Sequence, residues 1–157
     1  MGNGHPLGAV ITSRAVAEAY RNQGYFFSSP GGSPVSSVVG LAVLDAMERE
    51  KLQENARIVG EHLRHRLEEL AERQPRIGAV HGRGFYLGVE LVRDRETREP
   101  ATEETAAICD RMLELGVVIQ PTGDRQNVLK LKPPMVMTRE SADYFVNALE
   151  RVLATGW

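Results

Sequence analysis

Phe85-Tyr-Leu-Gly-Val-Glu-Leu91 is the stretch that decides the fold. Phe85, Leu87, Val89 and Leu91 alternate with Tyr86, Gly88 and Glu90, the period of two that gives a β-strand one apolar and one polar face. Upstream the period is that of a helix. Val35, Val38, Val39, Ala42, Leu44 and Met47, then Leu52, Ala56, Val59, Leu63, Leu67 and Leu70, follow helical spacing, so one long helix, or two with a kink, runs up to Pro75. Ser33 is placed as its N-cap and Pro34 at the first helical position. The change of period sets a domain boundary between residues 75 and 76.

Downstream of Leu91, a polar loop from Arg93 to Pro100 leads to a helix capped by Thr102, with Glu103 and Glu104 at its positive end and Gly116 ending it. Its buried stripe is expected at Ala106, Cys109 and Met112 or Leu113. Val117 to Gln120 and Val128 to Lys132 read as two further strands around Gly123, and Pro133-Pro134 stops the second. Thr138 caps a last helix whose apolar side is Ala142, Phe145, Val146, Leu149, Val152 and Leu153. At the other end, Leu7 to Ile11 reads as a short strand, and Thr12 or Ser13 caps a helix through Tyr20 that ends at Gly24. Tyr25 to Pro34 is rich in turn residues. The chain is thus α/β, with an α+β C-terminal half in which helices cover one face of a small antiparallel sheet.

Composition bounds what this fold can do. The 157 residues carry a formal net charge of −2, with both signs interspersed, which argues against a nucleic-acid face or a polybasic membrane anchor. No apolar run reaches membrane-spanning length and no signal-peptide pattern opens the chain, so a cytoplasmic location is expected. The single cysteine, Cys109, has no internal disulfide partner and suits a reducing compartment. Gly2-x-Gly4 with Gly8, and Gly82-x-Gly84 with Gly88, both miss the dinucleotide spacing by one residue. Gly82 and Gly84 read instead as turn glycines. His5, His62, His65 and His81 form no metal-ligand pattern, so no metal is expected, and His62 and His65 are assigned to a solvated helix face. No carboxylate pair stands apart from the charged helix surface, and the residues alone assemble no complete active site.

Agreement with a known pattern adds more. Gly2-Asn-Gly-His-Pro-Leu-Gly-Ala9 resembles the turn that follows the Schiff-base lysine of class III aminotransferases, which hold pyridoxal 5'-phosphate (PLP) on that lysine. Ser29-Pro-Gly-Gly-Ser-Pro34 resembles the family's Thr-x-Gly-Gly-Asn-Pro loop, with Ser29 keeping the hydroxyl. Asn55-Ala56 with Gly60, Gly82-x-Gly84 to Gly88-Val-Glu-Leu91, and Asn127-Val-Leu-Lys-Leu-Lys-Pro-Pro134 resemble the family's small domain. The similarity runs over essentially the whole chain.

The resemblance implies the C-terminal part of a fold type I PLP-dependent transferase: residues 1–75 as the remnant of the large PLP-binding domain with a long connecting helix, and 76–157 as the small domain. It implies Ser29 and Gly31 at the PLP phosphate of the neighbouring subunit, Gly2 and Gly4 beside the cofactor, and Lys130 at the substrate. A small amine or amino acid is the expected substrate, and a homodimer or higher homo-oligomer the expected assembly. Arginine usually stands where this chain has Lys130, and lysine cannot grip a carboxylate bidentately. The Lys-Leu-Lys-Pro-Pro form is similar to the ethanolamine-phosphate and phosphohydroxylysine phospholyases, so phosphate elimination from an amino-alkyl phosphate stands as the alternative to amino transfer. A truncated, non-catalytic dimerisation module is a third reading. Lys51, Lys130 and Lys132 are the only lysines, and none has the required context. The Schiff-base lysine is therefore expected upstream of Met1, and the chain alone is expected to bind no PLP and to be inactive.

Overall fold

A computed structural model describes residues 1–24 and 27–157; the start of the turn-rich stretch, Tyr25 and Phe26, lies outside the described residues. Contacts divide the chain into two compact units, Met1–Lys51 and Leu52–Trp157. The division falls between two helices, whereas the change of period in the sequence marks 75/76, because the second long helix packs with the sheet that follows it.

The first unit holds α1 (Arg14–Gln23) and α2 (Pro34–Arg49). Ser13 caps α1 by accepting from the Val16 N–H, and Ser33 caps α2 by accepting from the Ser36 N–H with Pro34 at its start, as the cap chemistry predicts. The strand expected over Leu7–Ile11 does not form. An apolar run becomes a strand only with a ladder partner, and residues 6–13 have none among the described residues, with Val10 and Ile11 92% and 96% exposed. Lys51, at φ 52°, is not on a helix surface but in the link to α3 (Leu52–Arg73), so the long helical pattern is two helices.

In the second unit, β1 (Ile77–Arg83), β2 (Tyr86–Asp94), β3 (Glu99–Pro100), β4 (Pro121–Thr122) and β5 (Val128–Leu131) build an antiparallel sheet in the order β1-β2-β5-β4, with β3 on β2. Gly84, at φ 57°, is the first central residue of the two-residue hairpin turn between Arg83 and Tyr86, a position where positive φ favours glycine. Leu87, Val89 and Leu91 of β2 and Leu129 and Leu131 of β5 form the sheet's buried face. α3 covers it with Val59, Leu63, Leu67 and Leu70, and α5 (Arg139–Thr155) adds Phe145, Val146, Leu149 and Val152 to the same core. Each such aliphatic side chain contributes about 1.5–3 kcal/mol on burial. α3 reaches the hairpin closely: a Cβ on Gly60 would stand 2.4 Å from the Gly84 carbonyl carbon.

Two other expectations shift. α4 (Thr102–Glu114) is capped at Ala101 without a side-chain bond, because the Thr102 hydroxyl donates to the Arg125 carbonyl at 2.6 Å. Its buried stripe is Thr105, Ile108, Cys109 and Met112, while Ala106 and Leu113 face outward. Val117–Gln120 forms no strand. Val117 and Ile119 do pack against the core, but the β4–β5 ladder begins only at Pro121, which has no N–H to extend it further.

Candidate functional site

The residues implicated at the cofactor lie in the first unit. Gly2-Asn-Gly-His5 is a tight turn in which the His5 N–H donates to the Gly2 carbonyl at 3.1 Å. Asn3 and Gly4 have φ of 47° and 102°, the two positive values a type I′ turn requires. A Cβ on Gly2 would come within 2.1 Å of the His5 carbonyl oxygen. The turn by itself therefore accounts for both glycines. The His5 Nε2 lies 2.9 Å from Ser36 Oγ, which ties this turn to the start of α2.

Ser29 and Gly31 stand just ahead of that same helix. Ser28 Oγ accepts from the Gly31 N–H at 3.1 Å, and a Cβ on Gly31 would meet the Ser28 Cβ at 2.9 Å. Gly32, at φ 75°, then turns the chain into the Ser33 cap. Ser28 thus supplies the loop's internal acceptor, and the exposed Ser29 hydroxyl has no hydrogen-bond partner among the described residues. A free hydroxyl on a glycine-built loop at a helix N-terminus is a donor set that suits a phosphate. The residues present fit the phosphate end of PLP.

Lys130 lies in the second unit, on the exposed face of β5, directly opposite Gly88 of β2. The same face carries His81 and Glu90, whose Nε2 and Oε2 are 2.9 Å apart, and Tyr86, whose ring lies under the Lys132 ammonium at 4.9 Å from its centroid. Sequence reasoning missed Lys132 and Tyr86. The i, i+2 spacing of Lys130 and Lys132 was a usable signal, since alternate strand residues share a face, but the partner across the strands depends on register. Asn55 was noticed only as part of a resemblance. From α3 its amide donates to the carbonyls of Met135 at 2.7 Å and Met137 at 3.0 Å, pinning the loop that follows Pro133-Pro134.

The remaining titratable clusters serve the framework. His62 does not sit on a solvated face: it is half-buried where α3 meets α5, with Nε2 2.9 Å from Asp143 Oδ1, an oxygen that also accepts from Arg66. The His62 hydrogen bond, with help from the Arg66 charge, holds the Asp143 carboxyl below the usual carboxylate range. Arg93 gathers Glu99, Glu103 and Glu104 around the start of α4, and its bond to Glu104 lowers that carboxyl as well. Burial pushes the Cys109 thiol up, so it is a poor nucleophile. Among the described residues no group of three or more His, Cys, Asp or Glu could hold a metal ion, and no helix is long and apolar enough to cross a membrane.

Comparison with known proteins places this geometry. The family model for class III aminotransferases matches residues 1–153. The chain is 48% identical over 150 residues to alanine--glyoxylate aminotransferase 2 homolog 2, mitochondrial, of Arabidopsis thaliana, covering 96% of this chain and 31% of that one. It is 34% identical over 154 residues to ethanolamine-phosphate phospho-lyase homolog 1 of Caenorhabditis elegans, covering 98% and 33%. The solved structure of an Arthrobacter phospholyase in complex with phosphoethanolamine superposes with a TM-score of 0.92 at 41% identity, over 100% of this chain and 37% of that one. The chain thus spans about a third of the length of these relatives. The five helices and small antiparallel sheet of the described residues are those of the fold type I PLP-dependent transferases. With the match running from the glycine turn through the last helix, the chain belongs to the class III aminotransferase family.

Proposed function

We propose that this chain forms the C-terminal part of a PLP-dependent enzyme that acts on a small amine with an anionic end. When bound, PLP supplies an electron sink for the carbon that carries the amino group. The Ser29 hydroxyl donates to the phosphate of PLP held by a neighbouring subunit, and Gly31, whose N–H is taken by Ser28 Oγ, shapes the loop that presents it, so the working enzyme is at least a homodimer. The Gly2–His5 turn keeps the backbone low beside the cofactor. Lys130 receives the anionic end of the substrate.

Amino transfer between an amine or amino acid and a keto acid is the chemistry common to the family. A specific observation favours the second reading, elimination of phosphate from an amino-alkyl phosphate. Lys130 stands on an open sheet face opposite a glycine and offers a compact point charge without the planar fork that orients a carboxylate. Phosphoethanolamine and water would yield acetaldehyde, ammonia and phosphate, with the C–O bond to phosphate broken and the enamine product hydrolysed. The likeness to an Arthrobacter phospholyase over the whole chain supports this reading.

The test is an assay of the full-length subunit loaded with PLP. Release of phosphate and acetaldehyde from phosphoethanolamine, with amino transfer to glyoxylate at least tenfold slower, is expected if Lys130 acts as a phosphate seat. Fast amino transfer with no phosphate release refutes the elimination reading. The 157 residues alone are proposed to be inactive, because Lys51 sits in an interhelical link and Lys130 and Lys132 in the small sheet region. Borohydride reduction of the isolated chain with PLP should leave no specific pyridoxyl-lysine; stoichiometric labelling at Lys130 or Lys132 would overturn that.

A further inference from the structure

We propose that Lys132 is a second substrate-binding cation, and that Lys130 and Lys132 together form a seat selective for a dianionic phosphate over a carboxylate. The proposal rests on the reading of Lys130 as the anion-binding residue and goes one residue beyond it. Lys132 stands just past the end of β5, and its contact with Tyr86 puts it on the same side as Lys130; two residues apart in extended chain, their Cα atoms are about 6.5–7 Å apart. Two lysine ammoniums can close that gap onto the oxygens of one phosphate, and a phosphate has more oxygens to share than a carboxylate.

The surroundings favour an anion that arrives from outside. Opposite Lys130 stands Gly88, which adds no side chain of its own, and the neighbours that reach over it, Val128 Cγ1 and His81 Cβ, carry no negative charge. Lys132 is held over the Tyr86 ring at 4.9 Å, an arrangement that orders a long flexible side chain without neutralising its charge. Glu90, the nearby acid of this face, is engaged by His81 at 2.9 Å. Neither lysine has a carboxylate within ion-pair distance among the described residues.

There is also room. Because the β4–β5 ladder starts only at Pro121, Val117–Gln120 runs past the end of β5 without pairing, and a groove of about 560 Å³ opens there. Both lysines line it, together with Val118, Gln120, Pro133 and Tyr144. Its apolar walls suit the short alkyl part of a substrate, and its cations suit the phosphate. A phosphate ester carries about −1.5 to −2 charges at neutral pH, with its second ionisation near pH 6, so two cations discriminate it from a carboxylate mainly above that pH. Tyr86 acts here as a positioning residue through Lys132.

The experiment titrates phosphoethanolamine into the isotope-labelled 157-residue chain and follows the lysine side-chain NMR signals, with ethanolamine, β-alanine and sulfate as comparison ligands. Lys130 and Lys132 should shift together and saturably with phosphoethanolamine, weakly with β-alanine and not with ethanolamine, and the affinity should fall below about pH 6 as the phosphate gains its second proton. Lys132→Met keeps the apolar stem, and its backbone spectrum will show that the exposed substitution leaves the fold intact. It should weaken phosphoethanolamine binding about tenfold and erase the preference over β-alanine. Tyr86→Phe should retain the affinity and Tyr86→Ala should lose part of it. A response confined to Lys130, with Lys132→Met unchanged, overturns the second cation and leaves the Lys130 reading standing. No response at either lysine, or equal shifts with sulfate spread over the arginines, overturns both.

Discussion

α2 and α3 follow each other in the chain and invert the usual link between apolar content and burial. α2, PVSSVVGLAVLDAMER, is the more apolar and buries no residue; α3, LQENARIVGEHLRHRLEELAER, is rich in charge and buries Val59, Gly60, Leu63, Leu67 and Leu70. Within the first unit the apolar positions of α2, Val35, Val38, Leu41 and Leu44, stay exposed. In the second unit a sheet and α5 are present to receive the stripe of α3. Burial here is decided by the partner an element finds, and a helix's own composition is a poor guide to it.

The largest effect to expect follows directly. Leu63→Ala or Leu149→Ala removes a side chain with no exposed surface, and urea unfolding of the chain should show a loss of about 2–5 kcal/mol. Leu41→Ala, at a position 61% exposed, should change stability by less than about 0.5 kcal/mol. Comparable losses at Leu41 and Leu63 would mean that the first unit has a core of its own, and the contrast would collapse.

Two helix glycines sharpen the same contrast at a smaller scale. Gly60→Ala drives a methyl to within 2.4 Å of the Gly84 backbone, which cannot move without opening the β1–β2 hairpin. A cost of about 1–3 kcal/mol is expected, seen as a lowered melting temperature. Gly40→Ala meets only the tip of Leu7, Cδ2 at 2.9 Å, which can rotate away. There the gain in helix propensity, about 0.5–1 kcal/mol, should leave the protein unchanged or slightly more stable. A neutral Gly60→Ala would show that the helix-to-hairpin approach is looser than the geometry states.

What could be read from the sequence follows the same division between local and non-local causes. The caps at Ser33 and Thr138 and the alternation of Phe85–Leu91 depend on neighbouring residues, and each was legible. Leu7–Ile11 and Val117–Gln120 carry strand-like patterns too, but a strand also needs a partner, and neither run is paired among the described residues. On α4 the apolar period was visible while its phase was not, since Thr105 is buried through a hydroxyl that donates to the Ala101 carbonyl at 2.6 Å. Lys130 was found through a resemblance and its strand. The Lys132–Tyr86 contact joins the residue just past β5 to the start of β2, and it depends on a strand register that no local signal specifies. The glycine turn was legible as a turn, and the structure adds that backbone geometry alone requires Gly2 and Gly4.

The smallest effect concerns acid, and it tests whether the second unit holds its electrostatics as well as its core. Asp143 on α5 accepts from His62 and Arg66 on α3, and its carboxyl titrates below the usual range, first because of the His62 bond and then because of the charges. The unfolded chain therefore takes up this proton at a higher pH than the folded one. The stabilisation is complete above the ordinary aspartate value of about 4 and is lost as pH falls through the depressed folded value. Asp94, Glu104 and Glu140 are also held low, so Asp143→Asn should make the acid limb of the stability curve shallower without abolishing it. The variant and the parent should converge at the lowest pH, where Asp143 is protonated in both states. Residues 52–157 expressed alone should show the same Asp143-dependent slope, because His62, Arg66 and Asp143 all lie within that unit. An acid limb indifferent to Asp143→Asn would mean that the α3–α5 seam is held by Leu63, Val146 and Leu149 alone, with the ion pairs as passengers on an apolar contact.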